Sequence, residues 1–338
     1  HIVSDEGFGR NEYIETTRPL VVVTAPGPGS GKMATCLSQL FHENKRGVKA
    51  GYAKFETFPI WNLPLTHPVN LAYEAATADL DDVNMIDHYH LAAYGETTVN
   101  YNRDIEVFPV LNRIFETILG ESPYKSPTDM GVNMAGNCIC DDEVCCEASR
   151  QEIIRRYYQS LNRLALDEAT KQEVYTLELL MKQAKVSVND RRVVTVAKQV
   201  AEERKCAVIA LELADGRIVT GKTTDLLGPA SAVLLNAIKE LGGIADEMHL
   251  ISPTYINPIQ NLKTRYLGSS NPRLHMDEVL IALSMCAATD SLAKLALEKL
   301  PELKGCQAHS TVMLTEGDFK VFKKLGVELT NDPIYETK

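Results

Sequence analysis

The chain has 338 residues, of which 45% are hydrophobic and 24% are charged, and its formal net charge is −10. This length and composition are typical of a globular protein with about two domains. The acidic balance argues against broad binding to nucleic acid or to an anionic membrane surface, because both need a basic footprint. No apolar run is long enough to span a membrane, and no signal peptide is visible.

The eight cysteines have no regular framework spacing, which predicts reduced thiols and a cytoplasmic protein rather than a secreted disulfide scaffold. The sequence begins with His1 instead of Met, so we expect further residues before it. We expect no nucleic-acid partner and no membrane partner.

The first informative segment, residues 20–35, reads LVVVTAPGPGSGKMAT. Its apolar run at 20–23 predicts a buried strand, followed by a glycine-rich turn and a helix over residues 33–43. Glycines let backbone N–H groups approach anionic oxygens, the helix dipole favours negative charge, and Lys32 adds a point charge. The segment predicts a P-loop-like phosphate-binding turn, built from Gly27, Gly29, Ser30, Gly31, Lys32 and Thr35.

The turn departs from the pattern G-x-x-x-x-G-K-[ST] at two positions, because Pro26 and Met33 replace the glycine and the hydroxyl residue. Met33 removes the hydroxyl that would contact Mg²⁺, and Thr35 lies two residues further on. We therefore expect ATP or another phosphate-bearing ligand and leave the Mg²⁺ requirement open. The alternative is a proline–glycine turn that only joins a strand to a helix.

The rest of the first half alternates short predicted elements. Residues 51–60 predict a strand, 61–69 a turn with two prolines, and 72–94 a polar region with helical stretches. Residues 105–119 predict a short strand followed by a helix. Residues 149–185 predict two helices with a break near Asp167.

An acidic segment at residues 79–90, DLDDVNMIDHYH, supplies further candidate side chains. Asp82 or Asp87 is a candidate general base or Mg²⁺ ligand, and with Lys32 they form the predicted catalytic set. His88 and His90 are two residues apart, which suits one face of a strand and permits a zinc site. The alternative is a solvated acidic turn without a function.

Four cysteines cluster in the segment NCICDDEVCCEAS, namely Cys138, Cys140, Cys145 and Cys146. Their spacing lacks the paired C-x-x-C of typical zinc or iron–sulfur sites. We therefore expect buried thiols that pack as small apolar groups, while a metal site and redox pairing stay open. Several basic residues are candidate phosphate clamps: Arg10, Lys54, Arg103, Lys125, Arg155 and Arg156.

The second half has a more regular pattern. Helices are predicted at 193–204, 230–241 and 277–300, and residues 206–213 predict a buried strand with a hairpin turn at 214–216. Residues 311–314, 318–325 and 327–330 predict a strand, a helix and a strand. Residues 216–223, GRIVTGKT, match G-x-x-x-x-G-K-[ST] in full. Their β-branched centre and the delay before the next helix favour a hairpin strand over a phosphate site.

These elements predict an α/β protein with two domains. Residues 1–165 are predicted to form a three-layer, P-loop-like or Rossmann-like phosphate-binding domain, and residues 166–338 a second, mixed α/β domain. Two functions are compatible with the patterns. One is a phosphotransferase or ATPase-like enzyme that binds a nucleotide or a phosphorylated metabolite at the turn. The alternative is a non-catalytic metabolite-binding or regulatory oligomer.

Segments along essentially the whole chain are distinctive: HIVSDEGFGRNEYIE, APGPGSGK, GYAKFETFPIWNLPL, NLAYEAATADLDDVNMID, TTVNYNRDIEVFPVL, SPTDMGVNM and ALELADGRIVTGKTTDLLG. Together they resemble a bacterial family of uncharacterised proteins, domain of unknown function 1846. The resemblance implies a cytosolic α/β homo-oligomer whose family members are longer, with a region before the residue corresponding to His1. It carries over no catalytic residue.

Overall fold

The structure, a computed structural model, describes residues 1–27 and 29–336. The chain divides into two compact units, His1–Ser149 and Arg150–Lys338. Helices and small sheets occur in both, which confirms the mixed α/β class. A domain boundary after residue 165 stays a prediction. Among the described residues, no helix is long and apolar enough to cross a membrane.

The first unit consists of helices and four short strands. Its helices are α1 (Lys32–Lys45), α2 (Pro68–Ala76), α3 (His88–Tyr94) and α4 (Asn102–Leu119), and α5 (Asp142–Ala165) begins in it. Its strands are β1 (Lys54–Phe55), β2 (Asn84–Ile86), β3 (Val99–Tyr101) and β4 (Gly131–Val132). β1 pairs with β4 in parallel, and β2 pairs with β3 antiparallel.

The core of the first unit lies between α1 and α4. The buried apolar residues of α4 recur at intervals of three or four, which places them on one helix face. Four of them, from Phe108 to Ile118, pack with Phe8, Leu37, Leu40 and Met130. This core holds α1 in place, and α1 carries the predicted phosphate-binding turn at its N-terminus.

One prediction for the first unit is wrong and another is not confirmed. Residues 20–23 form no strand, and the side chains of Leu20 and Val22 are 79% and 74% exposed. A strand is stabilised by pairing, and this run has no partner strand among the described residues. The three-layer P-loop or Rossmann architecture is not confirmed, because the strands described in this unit form two separate two-stranded sheets.

Two further segments of the first unit differ from the prediction: one is more helical, and the other is more irregular. Residues 102–119 form one helix, α4, which includes the segment predicted as a short strand. Only Lys54 and Phe55 of the predicted strand at 51–60 pair in a sheet.

The second unit contains a four-stranded sheet in the order β6-β5-β7-β8. Its strands are β5 (Val208–Glu212), β6 (Ile218–Lys222), β7 (Gln307–Ser310) and β8 (Glu328–Asn331). β5 is antiparallel to β6 and β7, and β7 is parallel to β8. The helices are α6 (Lys171–Gln183), α7 (Arg192–Arg204), α8 (Pro229–Gly242), α9 (Pro253–Asn261), α10 (Met276–Ala287), α11 (Ser291–Glu298) and α12 (Glu316–Leu325).

Most predictions for the second unit are confirmed. Residues 208–211 of β5 are fully buried, as a continuous apolar run predicts. Gly216 closes the β5–β6 hairpin with a φ of 83°, a left-handed conformation that favours glycine. The single helix predicted at 277–300 is wrong, because Asp290 accepts hydrogen bonds from two backbone N–H groups and thereby caps a separate helix, α11. The strand predicted at 311–314 lies earlier, at β7.

A buried arginine joins α7 to the β7–β8 pair. Arg191 is 1% exposed and donates hydrogen bonds to Thr330 Oγ1 at 3.1 Å and to the Ala308 carbonyl at 3.3 Å. It also donates to the Glu328 carbonyl. Burial lowers the pKa of Arg191 to about 10. The guanidinium therefore supplies donors to both strands from the start of the helix.

Candidate functional site

The glycine-rich turn before α1 is the first candidate site. Gly29 and Gly31 have φ values of 69° and 85°, which glycine adopts without strain. Lys32 is the first residue of α1, and its Nζ donates to the Gly27 carbonyl at 2.8 Å and to Ser30 Oγ at 3.3 Å. Ser30 Oγ also donates to the Gly27 carbonyl. The turn therefore holds the Lys32 ammonium group beside the N-terminus of α1.

The described residues leave space at the three glycines of this turn. A Cβ atom added at Gly27, Gly29 or Gly31 would meet none of their atoms within 4 Å. The first N–H groups of an α-helix have no partner within the helix, and the Thr35 N–H to Gly31 carbonyl bond, 2.9 Å, is the first in α1. Backbone donors and an ammonium group therefore meet where an anion has room.

The turn lacks the hydroxyl ligand of a Mg²⁺ site. Met33 packs against the apolar core of the unit, which accounts for an apolar residue at this position. Thr35 Oγ1 donates to the Gly31 carbonyl at 3.2 Å, so this hydroxyl is directed along its own helix. Neither side chain therefore supplies a hydroxyl for Mg²⁺ at this turn, and the Mg²⁺ requirement stays open.

Asp87, a predicted catalytic residue, has structural partners. It is fully buried and caps α3 by accepting a hydrogen bond from the His90 N–H at 3.0 Å. Its other oxygen accepts from the Thr128 N–H and Oγ1 at 3.1 and 2.7 Å. The carboxylate joins α3 to the segment before β4.

Asp82, the other predicted catalytic carboxylate, is paired with an arginine. Its side chain is 3% exposed, and its Oδ1 lies 2.6 Å from Arg103 Nε. Within residues 1–27 and 29–336, no hydrogen bond or ion pair joins Lys32 to Asp82 or to Asp87. A catalytic role for these carboxylates stays a prediction, and the structure does not bring them to Lys32 through a direct contact.

A buried ionic cluster surrounds Lys54, one of the predicted phosphate clamps. Its Nζ lies 2.7 Å from Glu56 Oε1 and donates to the Asp104 carboxylate and the Tyr101 hydroxyl. Burial raises the pKa of Glu56, and burial also raises the pKa of Tyr101 far above its usual value. The Lys54 ammonium group therefore already has three partners in this cluster. The two-residue spacing of Lys54 and Glu56, which puts both on one face of a strand, is the signal that could have predicted it.

The second P-loop pattern lies in a hairpin, as its β-branched centre predicts. A Cβ atom at Gly221 would lie 2.0 Å from the Val233 backbone nitrogen in α8. Lys222 is exposed at the end of β6. Glycine is therefore needed here for the close packing of β6 against α8.

The candidate metal ligands differ from those predicted. His88 and His90 lie on helix α3 instead of a strand, so a spacing of two does not put them on one face. Cys138 and Cys140 are exposed, and Cys145 and Cys146 are half-buried, so the prediction of buried thiols is wrong.

A different group of potential metal ligands is brought together. Among the described residues, His67, Asp142 and Cys146 have ligand atoms within 4.8 Å of one another. Cys146 belongs to the cysteine cluster for which a metal site was left open, whereas His67 was not among the predicted site residues. The sequence signal that could have indicated this group is an Asp and a Cys four residues apart at a helix start, which share one helix face.

Family models match the chain in two consecutive stretches. The model described as domain of unknown function DUF1846, N-terminal, matches residues 1–185, and its C-terminal counterpart matches residues 189–338. A UPF0371 protein of Streptococcus uberis is 61% identical over 336 residues, which are 99% of this chain and 68% of that protein. A UPF0371 protein of Corynebacterium diphtheriae is 62% identical over 335 residues, which are 99% of this chain and 67% of that protein.

Proposed function

Because the chain belongs to the DUF1846 family, whose description states no activity, we propose its function from the geometry of its own side chains. We propose that the first unit binds a small phosphate-bearing ligand, such as a nucleotide or a phosphorylated metabolite. The binding groups are Gly27, Gly29, Ser30, Gly31 and Lys32. The observation that carries the proposal is the Lys32 ammonium group, held against the Gly27 carbonyl beside an open helix N-terminus.

The proposed binding step is an exchange of acceptors at Lys32. Without a ligand, Nζ donates to a neutral carbonyl. The ammonium–carbonyl bond is already charge-assisted, but a phosphate oxygen adds the attraction between two opposite charges, which the neutral carbonyl lacks. The N–H groups of the first turn of α1 add donors aligned with the helix dipole. Phosphate therefore competes well for the ammonium group.

The surroundings of the turn support binding without turnover. Met33 packs in the core, Thr35 bonds within its own helix, and Asp82 and Asp87 have other partners. A phosphotransferase or ATPase-like enzyme needs a group that positions the metal or the attacking hydroxyl. We therefore favour a metabolite-binding or regulatory protein over an enzyme. We also propose that this protein forms a homo-oligomer.

Titration calorimetry with ATP, pyrophosphate and inorganic phosphate tests the proposal. Lys32→Ala should weaken binding at least tenfold, about 1.4 kcal/mol, because it removes a charge-assisted hydrogen bond. Lys45→Ala is the matched control, since Lys45 is an exposed lysine at the other end of the same helix. Equal affinities of wild type and Lys32→Ala would contradict the proposal. Phosphate release from ATP with Mg²⁺ would favour the enzyme instead.

A further inference from the structure

Three different metal-ligating side chains meet in the first unit, outside the glycine-rich turn. His67 Nε2 lies 3.1 Å from Asp142 Oδ1 and 3.6 Å from Cys146 Sγ. Cys146 Sγ lies 3.8 Å from Asp142 Oδ2. The His67 side chain is 12% exposed and that of Asp142 is 61% exposed. One side of the group is therefore packed and the other is open to solvent.

The starts of two helices fix these positions. His67 is the N-cap of α2, where its Nδ1 accepts a hydrogen bond from the Val69 N–H at 3.3 Å. Asp142 is the first residue of α5, and Cys146 follows one turn later on the same face. The backbone of both helices therefore sets the spacing of the three ligand atoms.

The spacing agrees with tetrahedral zinc. Zinc bonds of about 2.0 to 2.3 Å at tetrahedral angles separate two ligand atoms by roughly 3.3 to 3.8 Å. His67 Nε2 lies 3.1 Å from Asp142 Oδ1 and 3.6 Å from Cys146 Sγ, both near this range, and one ligand atom from each of the three residues lies within 4.8 Å of the others. Imidazole nitrogen, thiolate sulfur and carboxylate oxygen together suit zinc better than magnesium or calcium, which prefer oxygen ligands alone. We propose that His67, Asp142 and Cys146 bind Zn²⁺, with the fourth position open to water or an exogenous ligand.

A Cys–His–Asp nucleophilic triad fits this group less well. In such a triad the nucleophile and the carboxylate contact opposite nitrogens of the imidazole ring. Here Cys146 and Asp142 both approach Nε2, while Nδ1 faces a backbone N–H. Convergence of two groups on one nitrogen is expected when all three atoms surround a cation.

Zinc binding also defines where the protons go. Because Nδ1 accepts from Val69, the ring proton of neutral His67 lies on Nε2, where it is donated to Asp142. Coordination through Nε2 moves that proton to Nδ1, and the Cys146 thiol releases its proton to solvent. The site gives up the hydrogen bond at the helix cap and the hydrogen bonds from His67 and Cys146 to Asp142, and gains three metal–ligand bonds.

Titration of the reduced, chelator-treated chain with Zn²⁺, in competition with a coloured chelator, tests the site. We expect one equivalent bound. Cys146→Ser and His67→Asn should each weaken Zn²⁺ binding at least tenfold. Asn is chosen because it is a good N-cap residue, so the start of α2 is preserved. Cys145→Ser is the matched control, since Cys145 is an adjacent, half-buried cysteine outside the group.

Absorption of the Co²⁺-loaded chain identifies the ligands independently. Wild type should show the sulfur-to-cobalt charge-transfer band and the intense visible bands of tetrahedral Co²⁺, and Cys146→Ser should lose the charge-transfer band. Thermal unfolding of each metal-free variant checks that it is folded. The proposal is overturned if wild type binds no stoichiometric Zn²⁺, or if Cys145→Ser loses as much affinity as Cys146→Ser.

Discussion

Gly221→Ala should destabilise the second unit strongly, although glycine to alanine is the smallest possible enlargement of a side chain. The added Cβ would lie 2.0 Å from the Val233 nitrogen, 2.5 Å from the Val233 Cα and 2.7 Å from the Ala232 carbonyl carbon. Non-bonded heavy atoms normally stay about 3.5 Å apart, so α8 would have to retreat from β6 by roughly 1.5 Å. The atoms in the way belong to the backbone, so no side chain can rotate aside.

The magnitude follows from the cost of overpacking. Inserted methyl groups in packed interiors typically cost about 1–3 kcal/mol, and a backbone contact belongs at the upper end. For a unit of this size, about 3 kcal/mol corresponds to a decrease of roughly 6–12 °C in the thermal midpoint. Scanning calorimetry of the whole chain measures this decrease.

Gly317→Ala is the matched control, because it is also a glycine-to-alanine change in the second unit. Gly317 lies in α12, and an added Cβ would meet only Thr315 Oγ1, at 3.9 Å. Alanine is a better helix former, so this variant should gain up to about 1 kcal/mol. A thermal midpoint of Gly221→Ala within about 1 °C of wild type would refute the packing role of Gly221 and return attention to the G-x-x-x-x-G-K-T pattern around it.

Two further predictions concern buried carboxylates. Asp87→Ala should lower the free energy of unfolding in urea by about 3 kcal/mol or more, since three donors lose their acceptor at about 1–3 kcal/mol each. Asp79→Ala, an exposed control, should change it by at most about 0.5 kcal/mol, and equal effects would contradict the structural role of Asp87. The hydrogen bond with Asp318 raises the pKa of His275 above its usual value of 6.5. The stabilisation that protonated His275 contributes to the folded state is therefore complete below pH 6.5, and it is lost as the pH rises through the folded-state pKa. Burial alone would raise the pKa of Asp318, but hydrogen bonds from His275 and the Met276 N–H outweigh burial and lower this pKa below 3.8. The stabilisation that ionised Asp318 contributes to the folded state is therefore lost in acid. The pair therefore stabilises most between about pH 4 and 6.5, and the thermal midpoint of His275→Gln should approach that of wild type at alkaline pH; a difference independent of pH would contradict this assignment.

Local sequence predicts β5 well and residues 20–23 poorly, although both are short apolar runs. β5 is followed by an Asp-Gly turn and an adjacent strand that completes a hairpin. Residues 20–23 have no such neighbour in the described chain, and they stay exposed. The stability of a strand depends on a partner strand. Local sequence patterns predict that partner only when it is close along the chain.

The candidate sites show the same limit. The residues from Gly27 to Lys32 are contiguous, so a glycine-rich turn followed by a helix could be predicted from sequence, while its role as a binding site stays a prediction. His67 and Cys146 are 79 residues apart, and nothing in their spacing relates them. The second carboxylate oxygen of Asp87 is used by Thr128, 41 residues away, which is why a structural role was missed. Contacts between segments that are distant along the sequence can be identified only once the three-dimensional fold is known.

The strand order of the second unit pairs β5 with one neighbour that is close in sequence, β6, and one that is distant, β7. The β5–β6 hairpin ends at Lys222, whereas β7 begins at Gln307, with four α-helices between them. Until β7 pairs, one edge of β5 presents open backbone groups beside residues 208–211, which are fully buried in the native unit. Unpaired edges recruit other chains, and pairing across such sequence distances is slow. We therefore expect a chain whose hairpin has formed and whose β7 is still unpaired to associate with other chains at this edge of β5.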